Sequence, residues 1–166
     1  MNRRQFVATL VSLSALPLVA KRLVASTEAD VTSPIEKIER SDAEWRKLLT
    51  PEQYHVLRKE GTERSHSSRL NDEKRAGIYA CAGCALPLFS SEMKYDSGTG
   101  WPSFYKSFKG VLETKTDFKL ILPRKEYHCA RCGGHHGHIF KDGPAPTGLR
   151  YCNNGVALKF IPNKSS

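Results

Sequence analysis

Long hydrophobic runs are missing from this sequence. Nowhere does it approach the roughly 18 consecutive apolar residues that a membrane-spanning helix needs, so no stable membrane span is expected. Internal repeats and low-complexity blocks are also missing. No heptad stretch argues for more than a monomer. Basic charge exceeds acidic charge, for a net +9, but Asp and Glu are interleaved with Lys and Arg throughout. Without a basic run carrying interleaved aromatics, that charge reads as a soluble basic surface, and no nucleic acid is expected as a partner. Cysteine is scarce, and its count of five is odd. What is present is ordinary globular material: 39% hydrophobic and 26% charged residues in a chain of 166, room for one domain with short extensions.

The first 25 residues read as an address. Arg3 and Arg4 precede Phe6, and an apolar run with small residues follows from Val7 to Ala20. A charged segment ahead of an apolar one of this length is a signal pattern. Arg-Arg-x-Phe resembles the twin-arginine signal by which bacteria export folded proteins, so residues 1–25 are assigned to it. The expected destination is the periplasm, or the membrane if the N-terminus is kept as an anchor. The competing reading, a buried N-terminal helix, is opposed by Pro17 and by the lack of helical polar alternation. Residues 26–40 have few large apolar groups and read as a linker. The domain proper is expected over 41–163.

Two helix starts open that domain. Ser41-Asp42-Ala43-Glu44 is a capping box, and Thr50-Pro51-Glu52-Gln53 offers Thr as the cap with Pro in the first helical position. Gly61 is the expected stop of the second helix. Beyond Gly77 the texture becomes strand-like. Gly77 to Cys81, Asp117 to Leu122 and Ala157 to Ile161 read as strands separated by Gly- and Pro-containing turns. The expected class is mainly β, with short N-terminal helices.

Four of the cysteines form two C-x-x-C pairs, Cys81/Cys84 and Cys129/Cys132. Each pair follows a strand and enters a Gly-containing turn, the geometry of a zinc knuckle. Two knuckles supply the four thiolates of a closed, structural Zn2+ site, which leaves no open position for chemistry. A pair of redox C-x-x-C motifs is the rival reading, but a thioredoxin-like motif wants a helix N-terminus in a βαβ setting. His128, His135, His136 and His138 are candidate competitors for the metal, although four thiolates already fill the shell. A domain folded around zinc before export would also protect its thiols from an oxidising compartment.

Cys152 stands alone, between Arg150 and the amides of Asn153 and Asn154. A lone cysteine is commonly an inert buried hydrophobe. A neighbouring arginine after a turn is, however, the setting that lowers a thiol pKa. Histidines crowd beside glycines from Cys132 to Phe140, suiting acid or base groups in a cleft or a structural cluster on the zinc rim. Glycines also flank Trp101, which is either a presented indole or a core residue.

Gly-Thr-Gly-Trp-Pro-Ser-Phe at 98–104, Cys-Gly-x-His-x-Gly-His-x-Phe at 132–140 and Thr-Gly-Leu-Arg-Tyr-Cys-x-Asn at 147–154 together resemble the methionine sulfoxide reductase B family. The likeness runs from about Trp45 through Gly61-Thr62-Glu63 and both Cys pairs to Leu158-Lys159-Phe160. It implies a β fold of two antiparallel sheets and reduction of the R epimer of methionine S-oxide within oxidised proteins. It also implies Cys152 as nucleophile, Trp101 and Phe104 as substrate-binding residues, and His135, His138, Asp142 and Asn154 around the sulfoxide oxygen, with Arg150 polarising the thiol. The chemistry is coherent, since a sulfoxide sulfur is electrophilic only as its oxygen takes a proton, so an acid must sit beside a thiolate. Two positions depart from the family. Thr99 stands where many members carry a recycling cysteine, which points to an external thiol or thioredoxin-like reductant. His136 replaces an apolar residue, either altering acid strength or filling space. The competing functions are a zinc-ribbon binding module and a catalytically inactive redox sensor.

Overall fold

The computed structural model describes residues 34–118 and 122–164. The signal segment and most of the linker assigned from sequence lie outside the described residues. The end of that linker is part of the domain. Ile35 packs against the core, the Ile38 N–H donates to the Arg131 carbonyl (2.7 Å) and Lys37 pairs with Glu113.

Both helix starts are as expected. In α1 (Asp42–Leu48) the Glu44 carboxylate accepts from the Ser41 N–H at 2.8 Å while the Ser41 hydroxyl accepts from the Glu44 N–H. In α2 (Pro51–Lys59) Thr50 and Gln53 make the same reciprocal pair. Helices this short are marginal alone, so they form here because they bury Trp45, Tyr54, Val56 and Leu57. The stop differs from the expectation. Glu60, not Gly61, takes the left-handed conformation (φ 53°), and the Gly61 N–H donates to the His55 carbonyl at 3.0 Å. A Cβ at Gly61 would lie 2.2 Å from the His55 ring, so the exposed His55 side chain would have to turn aside to admit one.

Among the described residues nine strands make two sheets, all neighbours antiparallel. The smaller is ordered β2 (Pro87–Ser90), β1 (Gly77–Cys81), β9 (Leu158–Pro162). The larger is ordered β3 (Lys94–Tyr95), β4 (Ser103–Phe104), β8 (Arg150–Asn153), β7 (His135–Phe140), β6 (Arg124–Cys129), β5 (Leu112–Asp117). This is the mainly β, two-sheet class expected. The strand expected over Asp117 to Leu122 is displaced. The strand is β5, which ends at Asp117, while 119–121 lie outside the described residues. As an edge strand, β5 exposes Glu113, Thr114, Lys115 and Thr116, so it carries no apolar run to mark it. The last strand starts one residue late, because Ala157 closes a 3-10 turn over Gly155–Ala157.

The core joins the sheets through aromatic rings. Tyr79 and Phe89 of the small sheet meet Phe104 and Tyr127 of the large one, all four wholly buried. Phe89 stacks on Phe104 at 4.2 Å between centroids, and Tyr79 meets Phe104 edge-on at 5.0 Å. Each such ring contributes about 1.5–3 kcal/mol of burial free energy. Phe104 is therefore a core residue rather than the substrate-binding group expected.

Candidate active site and metal centre

The two Cys pairs occupy equivalent positions. Cys81 ends β1 and Cys129 ends β6. The residue after each second cysteine, Ala85 or Gly133, donates its N–H to the first cysteine's carbonyl at 2.8 Å. Each tight turn aims two thiols at the other pair. The Sγ atoms of Cys81 and Cys132 are 3.7 Å apart, those of Cys84 and Cys129 are 3.4 Å apart, and all four lie within 4.8 Å of one another. A tetrahedral ion with metal–sulfur bonds of about 2.3 Å needs sulfur–sulfur edges of about 3.8 Å, so four thiolates fit such a cation with little adjustment. Hydrogen bonds among the thiols hold Cys84 and Cys132 down toward thiolate and push Cys81 and Cys129 up. Neither pair stands at a helix N-terminus, the setting a redox C-x-x-C requires. No histidine joins the cluster.

Cys152 lies elsewhere, on β8 between β4 and β7, opposite Ser103 on one side and His138 on the other. Beside it is a cavity of about 130 Å³, walled by Trp101, His138, Thr62, Arg124 and Asn154. The Trp101 indole N–H donates to the Glu63 carbonyl at 3.1 Å, which fixes the ring plane. Asn154 accepts from the Glu63 N–H through Oδ1 (2.9 Å) and donates through Nδ2 to the His136 carbonyl (3.0 Å). His138 Nε2 lies 2.8 Å from Asp117 Oδ2, which Arg124 also holds at 2.6 Å. An ionised carboxylate only accepts, so Nε2 carries the proton and Nδ1 is the nitrogen left for exchange. Burial pushes the His138 pKa down, and the Asp117 hydrogen bond resists it.

Arg150 pulls the Cys152 thiol downward, as its place in the sequence suggests, but burial is the larger influence. Burial pushes Cys152 above its ordinary value, outweighing the downward pull of Arg150 and of the Thr99 hydroxyl. Cys152 therefore rests as a thiol.

Residues 49–162 match the family model described as the SelR domain. The chain belongs to the SelR domain family. Its relatives include proteins named peptide methionine sulfoxide reductase MsrB. That of Methanosarcina barkeri is 54% identical over 124 residues, 74% of this chain and 87% of that protein. That of Agrobacterium fabrum is 50% identical over 81% of this chain and 98% of its own length. A third, from Leptospira interrogans, is 50% identical over 75% of this chain and 95% of its own length.

In this SelR domain the structure gathers Cys152, Trp101, His138 and Asn154 around one cavity. His135 is not among its walls. It is buried behind His138, ring centroids 5.6 Å apart, with Nδ1 held by Glu126 at 2.9 Å, and it faces a cavity shared with Glu60 and Lys115. Asp142 is mostly exposed and grips Arg150 through two contacts of 2.8 Å, and neither residue walls the cavity; Arg150 bears on the site through its pull on the Cys152 thiol. The Arg150 guanidinium in turn lies over the Phe140 ring at 4.3 Å. His136 is wholly buried alongside Tyr127, and burial pushes its pKa down to about 3, so it fills space as a neutral side chain. Three participants went unassigned in the sequence: Glu63, Asp117 and Arg124. Glu63 stood within a family-like triplet but without a task, and nothing local marks the other two.

Proposed function

We propose that this chain reduces the R epimer of methionine S-oxide in oxidised proteins, with Cys152 as nucleophile and one structural Zn2+ on Cys81, Cys84, Cys129 and Cys132. The reading is carried by a thiol and an aspartate-held imidazole facing one side-chain-sized cavity with an indole wall. The names of its relatives agree with it. The zinc supplies fold stability and no chemistry, because a four-thiolate shell has no open position.

The proton inventory follows from the resting state. Neutral His138 takes the Cys152 proton on Nδ1, and Asp117 stabilises the imidazolium so formed. The thiolate attacks the sulfoxide sulfur while the imidazolium returns that proton to the sulfoxide oxygen. Oxygen passes from substrate sulfur to Cys152: the substrate gains two electrons and leaves as methionine, and Cys152 becomes a sulfenic acid. Trp101 packs against the S-methyl group, Asn154 lends its amide to the oxygen, and Arg150, steadied by Asp142, favours the thiolate. His135, fixed by Glu126, backs His138 from behind. With the other four thiols committed to metal and Thr99 beside Cys152, an external thiol or thioredoxin-like protein attacks the sulfenic acid. Water leaves, and a second thiol frees Cys152.

We also infer export by the twin-arginine route to a bacterial periplasm, on the strength of Arg3, Arg4 and Phe6 ahead of the apolar run. No helix among the described residues is long and apolar enough to cross a membrane. Fractionation of cells expressing the chain with Arg3 and Arg4 changed to Lys tests this: retention in the cytoplasm supports it, and unchanged export refutes it.

The reductase reading is tested by dithiol-driven turnover of the separate R and S epimers of a blocked methionine sulfoxide, with Cys152→Ser alongside. Turnover of R alone, lost in the variant, is expected. No turnover of either epimer by folded, metal-loaded protein would overturn the assignment.

A further inference from the structure

The Cys152 cavity, at about 130 Å³, is on the scale of one side chain. A substrate that is a residue within a polypeptide must therefore leave its main chain, and the residues before and after it, on the surface at the mouth. Successive residues are spaced by at most about 3.6 Å along an extended chain, so the neighbours of the reacting methionine lie close to that rim. The surface there is not featureless. A groove of about 770 Å³ runs along the ends of β6 and β7 and shares two walls, Arg124 and Phe140, with the Cys152 cavity. Its apolar part is Leu122, Ile139 and Phe140, and Lys125 and Lys141 flank it. Leu122 is 76% exposed, although a large apolar side chain gains nothing from standing in water.

We propose that this groove is a substrate subsite. It seats the polypeptide next to the methionine sulfoxide, taking a large apolar side chain such as Leu or Phe against Leu122 and Phe140. An acidic residue beyond it lies between Lys125 and Lys141. The inference rests on the reductase reading above and adds to it a preference for sequence context. Three observations point to this occupant rather than another. The groove adjoins the catalytic cavity through their shared walls Arg124 and Phe140, its lysines complement acid, and the cavity itself has room for about one side chain, so the rest of the polypeptide stays outside it.

The test measures kcat/KM on short blocked peptides with a central R-methionine sulfoxide, flanked by Leu-Asp, Ser-Ser or Lys-Lys, against the blocked amino acid. Leu-Asp peptides are expected to exceed Ser-Ser peptides by roughly tenfold, the scale of partly burying one large apolar side chain. Lys-Lys peptides should fall below both. Leu122→Ser, a change at an exposed position, should abolish the apolar preference and leave turnover of the blocked amino acid unchanged. Changing Lys125 and Lys141 to Glu should reverse the charge preference. Equal kcat/KM across the peptides, or a preference that survives Leu122→Ser, would overturn the subsite. Failure to turn over even the blocked amino acid would count against the reductase reading instead, so the two failures are distinguishable.

Discussion

Glu63 touches the catalytic cavity only through others, yet four of its hydrogen bonds fix that cavity's walls. Its carbonyl accepts from Trp101, its N–H donates to Asn154, and its carboxylate accepts from the N–H groups of Gly155 (2.5 Å) and Val156 (3.0 Å). The carboxylate is thus the clasp that pins the strand-to-turn corner after Asn154 to the segment holding Trp101. Bonds to a charged group are worth about 1.5–3 kcal/mol each, and partial exposure lets water recover some of that. Glu63→Ala should therefore cost about 2–4 kcal/mol by urea unfolding, and Glu63→Gln, which keeps one acceptor but turns an NH2 toward the other amide, about half as much. Activity should fall further than stability requires. Loosening a reacting geometry by a fraction of an ångström to one ångström costs up to about 100-fold, so Glu63→Gln should lose roughly tenfold in kcat/KM at temperatures where it is fully folded. Steady-state turnover of the blocked R-sulfoxide measures this, with unfolding curves on the same preparations. A Glu63→Ala protein that loses stability but keeps full kcat/KM would refute the clasp, because the cavity walls would then be held without it.

Four further outcomes follow from the same geometry. Phe104→Ala should destabilise by about 3–5 kcal/mol in a denaturation curve while leaving KM of the folded enzyme unchanged, and a raised KM at full stability would return Phe104 to the substrate. Asp117→Asn replaces the carboxylate that raises His138 with a neutral acceptor, so the His138 pKa drops further; because His138 starts as a neutral base, the acid limb of kcat/KM against pH should move to lower pH as the rate falls about 10–100-fold, and an unmoved limb would exclude this pairing. Alkylation of Cys152 should accelerate with pH through a midpoint above that of an ordinary thiol, and Arg150→Met should push the midpoint higher still, since the guanidinium is the largest of the downward pulls on the thiol; a midpoint below an ordinary thiol's would contradict the dominance of burial. Stripping metal with a strong chelator, or Cys84→Ser, should lower Tm and activity together, whereas a metal-free protein with unchanged Tm would rule out a structural ion.

What was legible in the sequence was whatever its neighbours decide. Ser41 and Thr50 cap helices through residues three positions on, and each C-x-x-C turn aims its own two sulfurs. Two misplacements share a cause: β5 is polar because it is an edge, and Phe104 is core because Phe89 and Tyr79 arrive from the other sheet. The partners that complete the site are likewise distant, with Asp117 21 residues from His138 and Glu63 91 from Asn154. Gly137 joins the two kinds of information. It lies between His136 and His138 on β7, opposite Asn153, and a Cβ there would stand 1.9 Å from the Cys152 carbonyl oxygen. Any side chain at 137 must therefore push β7 off β8, and His138, the next residue, would leave Cys152 with it. The glycine beside the histidines was visible in the sequence as a companion of acid–base groups. Its physical work is to let two strands close until an imidazole and a thiol from separate segments share one cavity. A one-residue slip of β8 would turn Cys152 to the opposite face, so the chemistry depends on this register as much as on the residues that occupy it.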